Sequence, residues 1–293
     1  AERMVATNSS NGLSWLSSHT ASYSAFKRSW TERALPCGDR GFPITLVYLM
    51  QPSSGDTFDH VSGVTNEEPV IKIGEDRDGP VLELDATEWS VDGLAMALRT
   101  NLEQWSQGVS IWIDHPSDET DDLLARLGFE IQRDLFRMER SLPMEQRTDI
   151  ETRSFVVDQD EEEWCRVNNR AFAWHREQSG WTPELVQERQ AESWFDPNGF
   201  LIHHREGRIA AFCWTKIHEN ETPPIGEVYV IAVDPDFHGL GLGRALTLAG
   251  YQHLGDNGIT QAMLYVDADN TRAVTLYRDI GLEVQVVRRL HQK

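Results

Sequence analysis

Cysteine is scarce in this chain: three in 293 residues, at Cys37, Cys165 and Cys213. Their spacing is neither that of a zinc site nor that of a disulfide framework, which points to a reduced, cytoplasmic protein with no metal. Cationic residues are also in short supply, 27 Lys and Arg against 47 Asp and Glu, for a formal charge of −20. A nucleic-acid surface needs clustered Lys and Arg on the phosphates, so that deficit excludes such a partner. Long hydrophobic runs are missing as well. Residues 44–50 are far too short a run to span a bilayer, and Ala1–Val5 lacks the pattern of a secretory leader, so no membrane role is expected. What remains is an acidic chain with 40% hydrophobic residues, long for one domain and comfortable for two. Its charge suits a neutral or cationic small molecule as partner. A monomer is expected.

The informative segment runs from Gly226 to Leu282. Residues 227–233 read as a strand, 238–244 as a turn with glycine at 239, 241 and 243, and Leu242, Ala245, Leu246 and Ala249 as one face of a helix that opens inside the turn. Successive backbone N–H groups in such a turn converge on one spot, and the helix N-terminus adds positive potential, so a pyrophosphate fits there. No Gly-Lys-Ser/Thr follows, which removes the P-loop reading, and the later acidic ribose partner of a dinucleotide fold is missing. A second strand at 262–267, then Asn270, then a helix with Ala273, Leu276, Tyr277 and Ile280 on one face complete the pattern. The whole resembles the GNAT N-acetyltransferases, whose glycine-rich loop holds the pyrophosphate of acetyl-CoA. His238 and Leu282 depart from that family's usual residues, Gln or Arg and Phe, and neither change removes a backbone donor.

Comparing the chain with itself exposes a repeat. Strand 109–114, a helix, and residues 124–131 parallel strand 263–267, a helix, and residues 277–284, with the same spacing from Asp114 to Gly128 as from Asp267 to Gly281. The first copy has lost the cofactor turn: after Asp85 it offers one glycine, Gly93, with Glu88 and Asp92 where a pyrophosphate would lie, and Leu124 stands where the second copy has Tyr277. The expected architecture is a mixed α/β sheet in two tandem GNAT-like domains. Residues 1–145 would be a degenerate copy that helps recognise the acceptor, and residues 150–293 the catalytic one. The polar stretch 142–149, with Pro143, would be the boundary. Residues 7–24 and 51–68 are rich in Ser, Thr, Gly, Asp and Pro and read as loops or disorder.

Acetyl transfer to an amine needs a base, a held thioester and a proton for the leaving thiolate. Glu227 shares its strand with Tyr229, Ile231 and Val233 beside the turn and is the candidate base; Tyr277 on the last helix is the candidate acid, from its place in the matched motif. Ile231, Ala232 and Val233 would offer backbone to the pantetheine amides. His238, Gly239, Leu240, Gly241, Leu242, Gly243 and Arg244 would hold the pyrophosphate, with Asn270, Thr271, Arg272, Ala273, Val274 and Thr275 lining the other side. More narrowly, residues 169–178, 194–200, 226–230 and 264–270 resemble the mycothiol synthase branch of the family. That resemblance implies acetylation of the cysteinyl amine of cysteinyl-glucosaminyl-inositol, with Glu177, Lys216, Glu227 and Tyr265 at the acceptor. Another amine, such as a peptide N-terminus or an aminoglycoside, and a non-catalytic acetyl-CoA sensor are the competing readings. His203 and His204 are adjacent on a strand, point to opposite faces, and so cannot share a metal ion.

Overall fold

The structure, a computed structural model, describes residues 71–293 apart from 77–78, 103–107 and 176–177. Residues 7–24 and 51–68, and the predicted acceptor residue Glu177, lie outside the described residues. Elements follow in the order β1 (Lys72–Asp76), β2 (Gly79–Asp85), α1 (Val91–Leu102), β3 (Ser110–Asp114), α2 (Asp118–Arg126) and β4 (Glu130–Ser141). The second copy supplies β5 (Arg153–Ser154), α3 (Glu161–Ala171), α4 (Pro183–Gln190), β6 (Phe200–Arg205), β7 (Arg208–His218), β8 (Ile225–Val233), α5 (Leu242–Asp256), β9 (Gln261–Asp267), α6 (Thr271–Asp279) and β10 (Glu283–Gln292). The fold is thus the mixed α/β sheet expected. The strand β1 was not legible, because its Lys-Ile-Gly-Glu-Asp sequence has little β preference and is held by antiparallel pairing to β2.

Local chemistry explains where the helices begin. Ser117 accepts from Thr120 N while the Thr120 hydroxyl accepts from Ser117 N, a reciprocal cap that starts α2. Thr182 caps α4, with Pro183 at the first helical position. The Asn270 carboxamide oxygen accepts from Ala273 N and starts α6.

The strands form one sheet in the order β1-β2-β3-β10-β4-β9-β8-β7-β6-β5. Each copy's last strand has therefore crossed over: β10 lies between β3 and β4, and β4 lies between β10 and β9. The register makes the crossing symmetric. The offset that carries Gly128 to Gly281 carries Asp114 to Asp267 and Leu135 to Arg288, and the structure pairs Arg288 with Asp114 and Leu135 with Asp267. Leu135 pairs with Arg288 itself, flanked by Asp134 with Arg289 and Phe136 with Val287, which exchange into each other. A local two-fold axis passes through the Leu135–Arg288 pair, normal to the sheet.

Three apolar clusters hold this sheet. One packs α5 and α6 on the second copy, through Leu246, Tyr251, Leu254, Ala273 and Tyr277 against Val228, Ile231 and Leu264. A second packs α1 and α2 through Leu94, Leu98, Leu123 and Leu124 against Leu82, Leu84, Ile111 and Ile113. The third, on the opposite face, sets α3 and α4 over an aromatic core in which Phe200 and Trp214 stack with ring centroids 4.4 Å apart and Trp164 meets them edge-on. That core runs across the sheet to Leu135 and Trp112 of the first copy.

Because neither copy owns a complete sheet, cutting the chain at 142–149 and producing residues 150–293 alone would leave β9 without β4 and β10 without either neighbour. We expect that fragment to show no cooperative thermal transition by circular dichroism, and co-production with the first half to restore one. A cooperative transition in the isolated fragment would contradict the dependence.

Candidate active site

Between β7 and β8 the register slips by one residue, Trp214 facing Val230 and Thr215 facing Val228, so that Tyr229 is an extra residue on β8. Such a bulge bends its strand. On its other side β8 runs parallel to β9 through only Ile225–Gln261, Gly226–Ala262 and Glu227–Met263. Past Glu227 the two strands part, over the stretch Val228–Val233 of β8. Ile231, Ala232 and Val233 lie on this stretch, buried, and keep their pairing to β7 on the far side.

The wedge opens toward the glycine turn. Gly239 and Gly241 have φ of 80° and 75°, left-handed values that side chains disfavour, and a Cβ at either would meet nothing within 4 Å. Gly241 is the N-cap of α5, whose first-turn N–H groups have no intrahelical acceptor. A cavity of about 230 Å³ is lined by Val233, Phe237, His238, Gly239, Gly241, Leu242, Gly243 and Arg272. The His238 ring donates Nε2–H to the Val233 carbonyl at 3.1 Å, which ties the turn to the end of β8. Asp234 and Asp236 anchor the turn from below. Arg208 donates to Asp236 at 2.9 Å and Arg170 at 3.0 Å, and the two guanidiniums hold the Asp236 carboxyl below the usual carboxylate range.

The remaining predicted cofactor positions act differently. Leu240 is an exposed apolar side chain at the tip of the turn, and Arg244 is half-buried in the first turn of α5. Asn270 caps α6, Thr271 and Thr275 are exposed, and Ala273 and Val274 are core residues. They fix the position of α6, and Arg272 is the member of that group whose side chain lines the cavity.

Glu227 sits where β8 and β9 separate. Its side chain is fully buried; Oε2 accepts from His218 Nε2 at 2.7 Å, and Oε1 has no hydrogen-bond partner. Lys216 lies directly across on β7, with Nζ 4.7 Å from the Trp194 ring centroid, and burial pushes its ammonium down. Tyr265 on β9 is also buried, its phenol pushed up by burial to about 12. Glu227, Lys216 and Tyr265 therefore come together on the face of the sheet that carries α3 and α4. His218 was missed at the level of sequence. The signal available was period two: it follows Lys216 by two residues on one strand and so shares its face.

Tyr277 packs on the opposite face, with the α5–α6 cluster. It is fully buried, its phenol is pushed well up by burial, and its Oη has no hydrogen-bond partner. A buried hydroxyl without a partner is costly, on the order of 1–3 kcal/mol, unless a ligand completes it.

The first copy has no wedge. There β2 and β3 remain paired to their ends, from Val81–Ser110 through Asp85–Asp114. Asp85 then accepts from Thr87 N and starts a short 3-10 turn, as Asp234 does at Pro235–Phe237, but α1 follows after Trp89 and Ser90 with no glycine turn between.

The sequence of residues 162–282 matches the Acetyltransferase (GNAT) family. The chain is 46% identical over 188 residues to a mycothiol acetyltransferase from Thermobispora bispora, covering 61% of this chain and 64% of that one. To the mycothiol acetyltransferase of Thermobifida fusca it is 40% identical over 226 residues, 68% of this chain and 69% of the relative. Among solved structures, a GCN5-related N-acetyltransferase from Sphaerobacter thermophilus superposes with a TM-score of 0.60 at 22% identity, over 77% of this chain and 76% of that one. The chain belongs to the GNAT acetyltransferases and, within them, to the family of the mycothiol acetyltransferases. It spans about two thirds of the length of the curated relatives it matches, 64% of the first and 69% of the second.

The second copy alone combines an open wedge with a glycine cradle, so calorimetry should find one acetyl-CoA per chain. Gly241→Val places a β-branched residue at φ 75°, a strain of about 1–3 kcal/mol that distorts the cradle. Affinity should fall at least about tenfold. Two sites, or unchanged affinity in the variant, would contradict the assignment.

Proposed function

We propose that this chain transfers the acetyl group of acetyl-CoA to the cysteinyl amine of cysteinyl-glucosaminyl-inositol, the last step of mycothiol synthesis, as a cytoplasmic monomer. The observation that carries the reading is the Glu227 carboxylate: fully buried at the mouth of the β8–β9 wedge, with one oxygen held and the other unpaired. A base for an amine needs that free oxygen. The unpaired atoms and the empty space over Gly239 and Gly241 fit acetyl-CoA, which supplies an activated acyl thioester.

The residues divide the work as follows. The turn from His238 to Arg244 and the side chain of Arg272 hold the pyrophosphate, and the backbone of Ile231, Ala232 and Val233 takes the pantetheine amides as an added strand would. Glu227 Oε1 removes the amine proton as nitrogen attacks the acyl carbon. Tyr277 Oη–H donates to the departing sulfur. Lys216 and Tyr265 bind polar groups of the acceptor, with Glu177 assigned to the same task by family resemblance.

The acceptor has a sugar and an inositol beyond its reacting amine, more than one GNAT copy encloses. The same sheet face continues from Tyr265 into the first copy through Arg288, which bonds Asp114 at 2.6 Å and lies 5.5 Å from the Trp112 ring centroid. Glu83 and Arg133 adjoin it. This polar and aromatic band supports a recognition role for the degenerate copy.

Thiol release should be fast with cysteinyl-glucosaminyl-inositol and poor with free cysteine, an aminoglycoside or a peptide N-terminus. Preference for one of the latter would replace the acceptor, and no release with any would favour a sensor. In Glu227→Gln the rate should fall by roughly a hundredfold near neutral pH while acetyl-CoA affinity changes little. An unaltered pH–rate profile would remove Glu227 from the mechanism.

A further inference from the structure

His218 is the last residue of β7, two beyond Lys216, and its ring spans from the buried Glu227 toward the end of the sheet, with 14% of the side chain exposed. A carboxylate with no solvent contact is normally surrounded by donors, because its charge has lost the hydration that stabilised it. Glu227 has the His218 donor on Oε2 and none on Oε1. One donor on one oxygen selects the rotamer that decides which oxygen faces the cleft.

We infer that His218 is a positioning residue for the transfer, donating Nε2–H to Glu227 Oε2 so that Oε1 is the oxygen presented to the acceptor amine. The inference rests on Glu227 being the base. The fold provides the arrangement directly. Glu227 pairs across from Lys216, and His218 pairs with Ile225, so Lys216 and His218 flank the carboxylate on one face. Lys216 is drawn over Trp194 and Tyr229, at 4.7 and 5.6 Å from their ring centroids, and the imidazole makes the 2.7 Å contact. His218 thus gives Glu227 its geometry. The other ionisable groups facing Glu227 are Lys216 on β7, Tyr229 on β8, Tyr251 on α5 and Tyr265 on β9, with Arg189 and Glu192 beyond Lys216. Burial pushes the three phenols up, away from neutrality, and Lys216 is common to every variant compared below.

The experiment measures kcat, KM and the pH–rate profile of the full chain, with acetyl-CoA and cysteinyl-glucosaminyl-inositol, for H218A, H218Q, E227Q and H218A/E227Q. In H218A, kcat should drop at least about tenfold with little change in KM for acetyl-CoA. H218Q keeps an N–H that can donate to Oε2, so it should recover much of the kcat lost in H218A. The double variant should be no slower than E227Q, since His218 acts through Glu227. Wild-type kcat and profile in H218A would overturn the inference. So would equal slowing of H218A and H218Q, the mark of a merely structural residue, or additive losses in the double variant. A fast E227Q strikes the base assignment and this inference with it, whereas a slow E227Q beside an unaffected H218A strikes this inference alone.

Discussion

The antiparallel pairing of β4 with β10 joins two copies of one fold into a single sheet. Each of these strands is the last of its own copy, and each completes the other copy by pairing with its penultimate strand. At the centre, where the axis passes, Leu135 and Arg288 face one another. The Arg288 guanidinium is accommodated there because Asp114 and Glu83 neutralise it and the Trp112 and Tyr265 rings flank it. A buried guanidinium without such partners would be strongly destabilising. The central ladder is reinforced on the other face by Arg289, which bonds both Asp134 and Asp121.

This exchange has a consequence for function. It makes β9 an interior strand, fixed on its outer side by β4, so the parting of β8 and β9 does not leave β9 a loose edge. In the second copy the Tyr229 bulge turns β8 away and opens a wedge between β8 and β9. In the first copy the equivalent strands stay zipped to Asp85–Asp114 and the space is absent. One sheet thus holds an open and a closed strand pair, and the closed one is followed by a stretch after Asp85 that lacks the glycine turn. The closed copy still contributes strands and a charged, aromatic stretch of the shared face.

Much of the second copy was legible in the sequence because its signals are local. Glycines at 239, 241 and 243 demand a turn, and the apolar spacings from Leu242 to Ala249 and from Ala273 to Ile280 demand helices. The repeat was visible for the same reason, since a fixed Asp-to-Gly spacing survives divergence. The strand β1 was not, because Lys72–Asp76 becomes a strand through its neighbour and not through its own residues.

The sequence by itself determined the glycine turn after Asp234, the lack of one after Asp85, the recurring Asp-to-Gly spacing, and Glu227 and Tyr277 as candidates. Only the tertiary structure decided that the copies share strands, that the wedge closes in the first, that Tyr277 Oη and Glu227 Oε1 are buried without partners, and that His218 reaches Glu227. The division has a physical cause. Turn, cap and helix preferences act within a few residues, where side chain and backbone meet directly, whereas strand exchange, a bulge facing another strand and a 2.7 Å contact across a hairpin depend on which distant segments pack together.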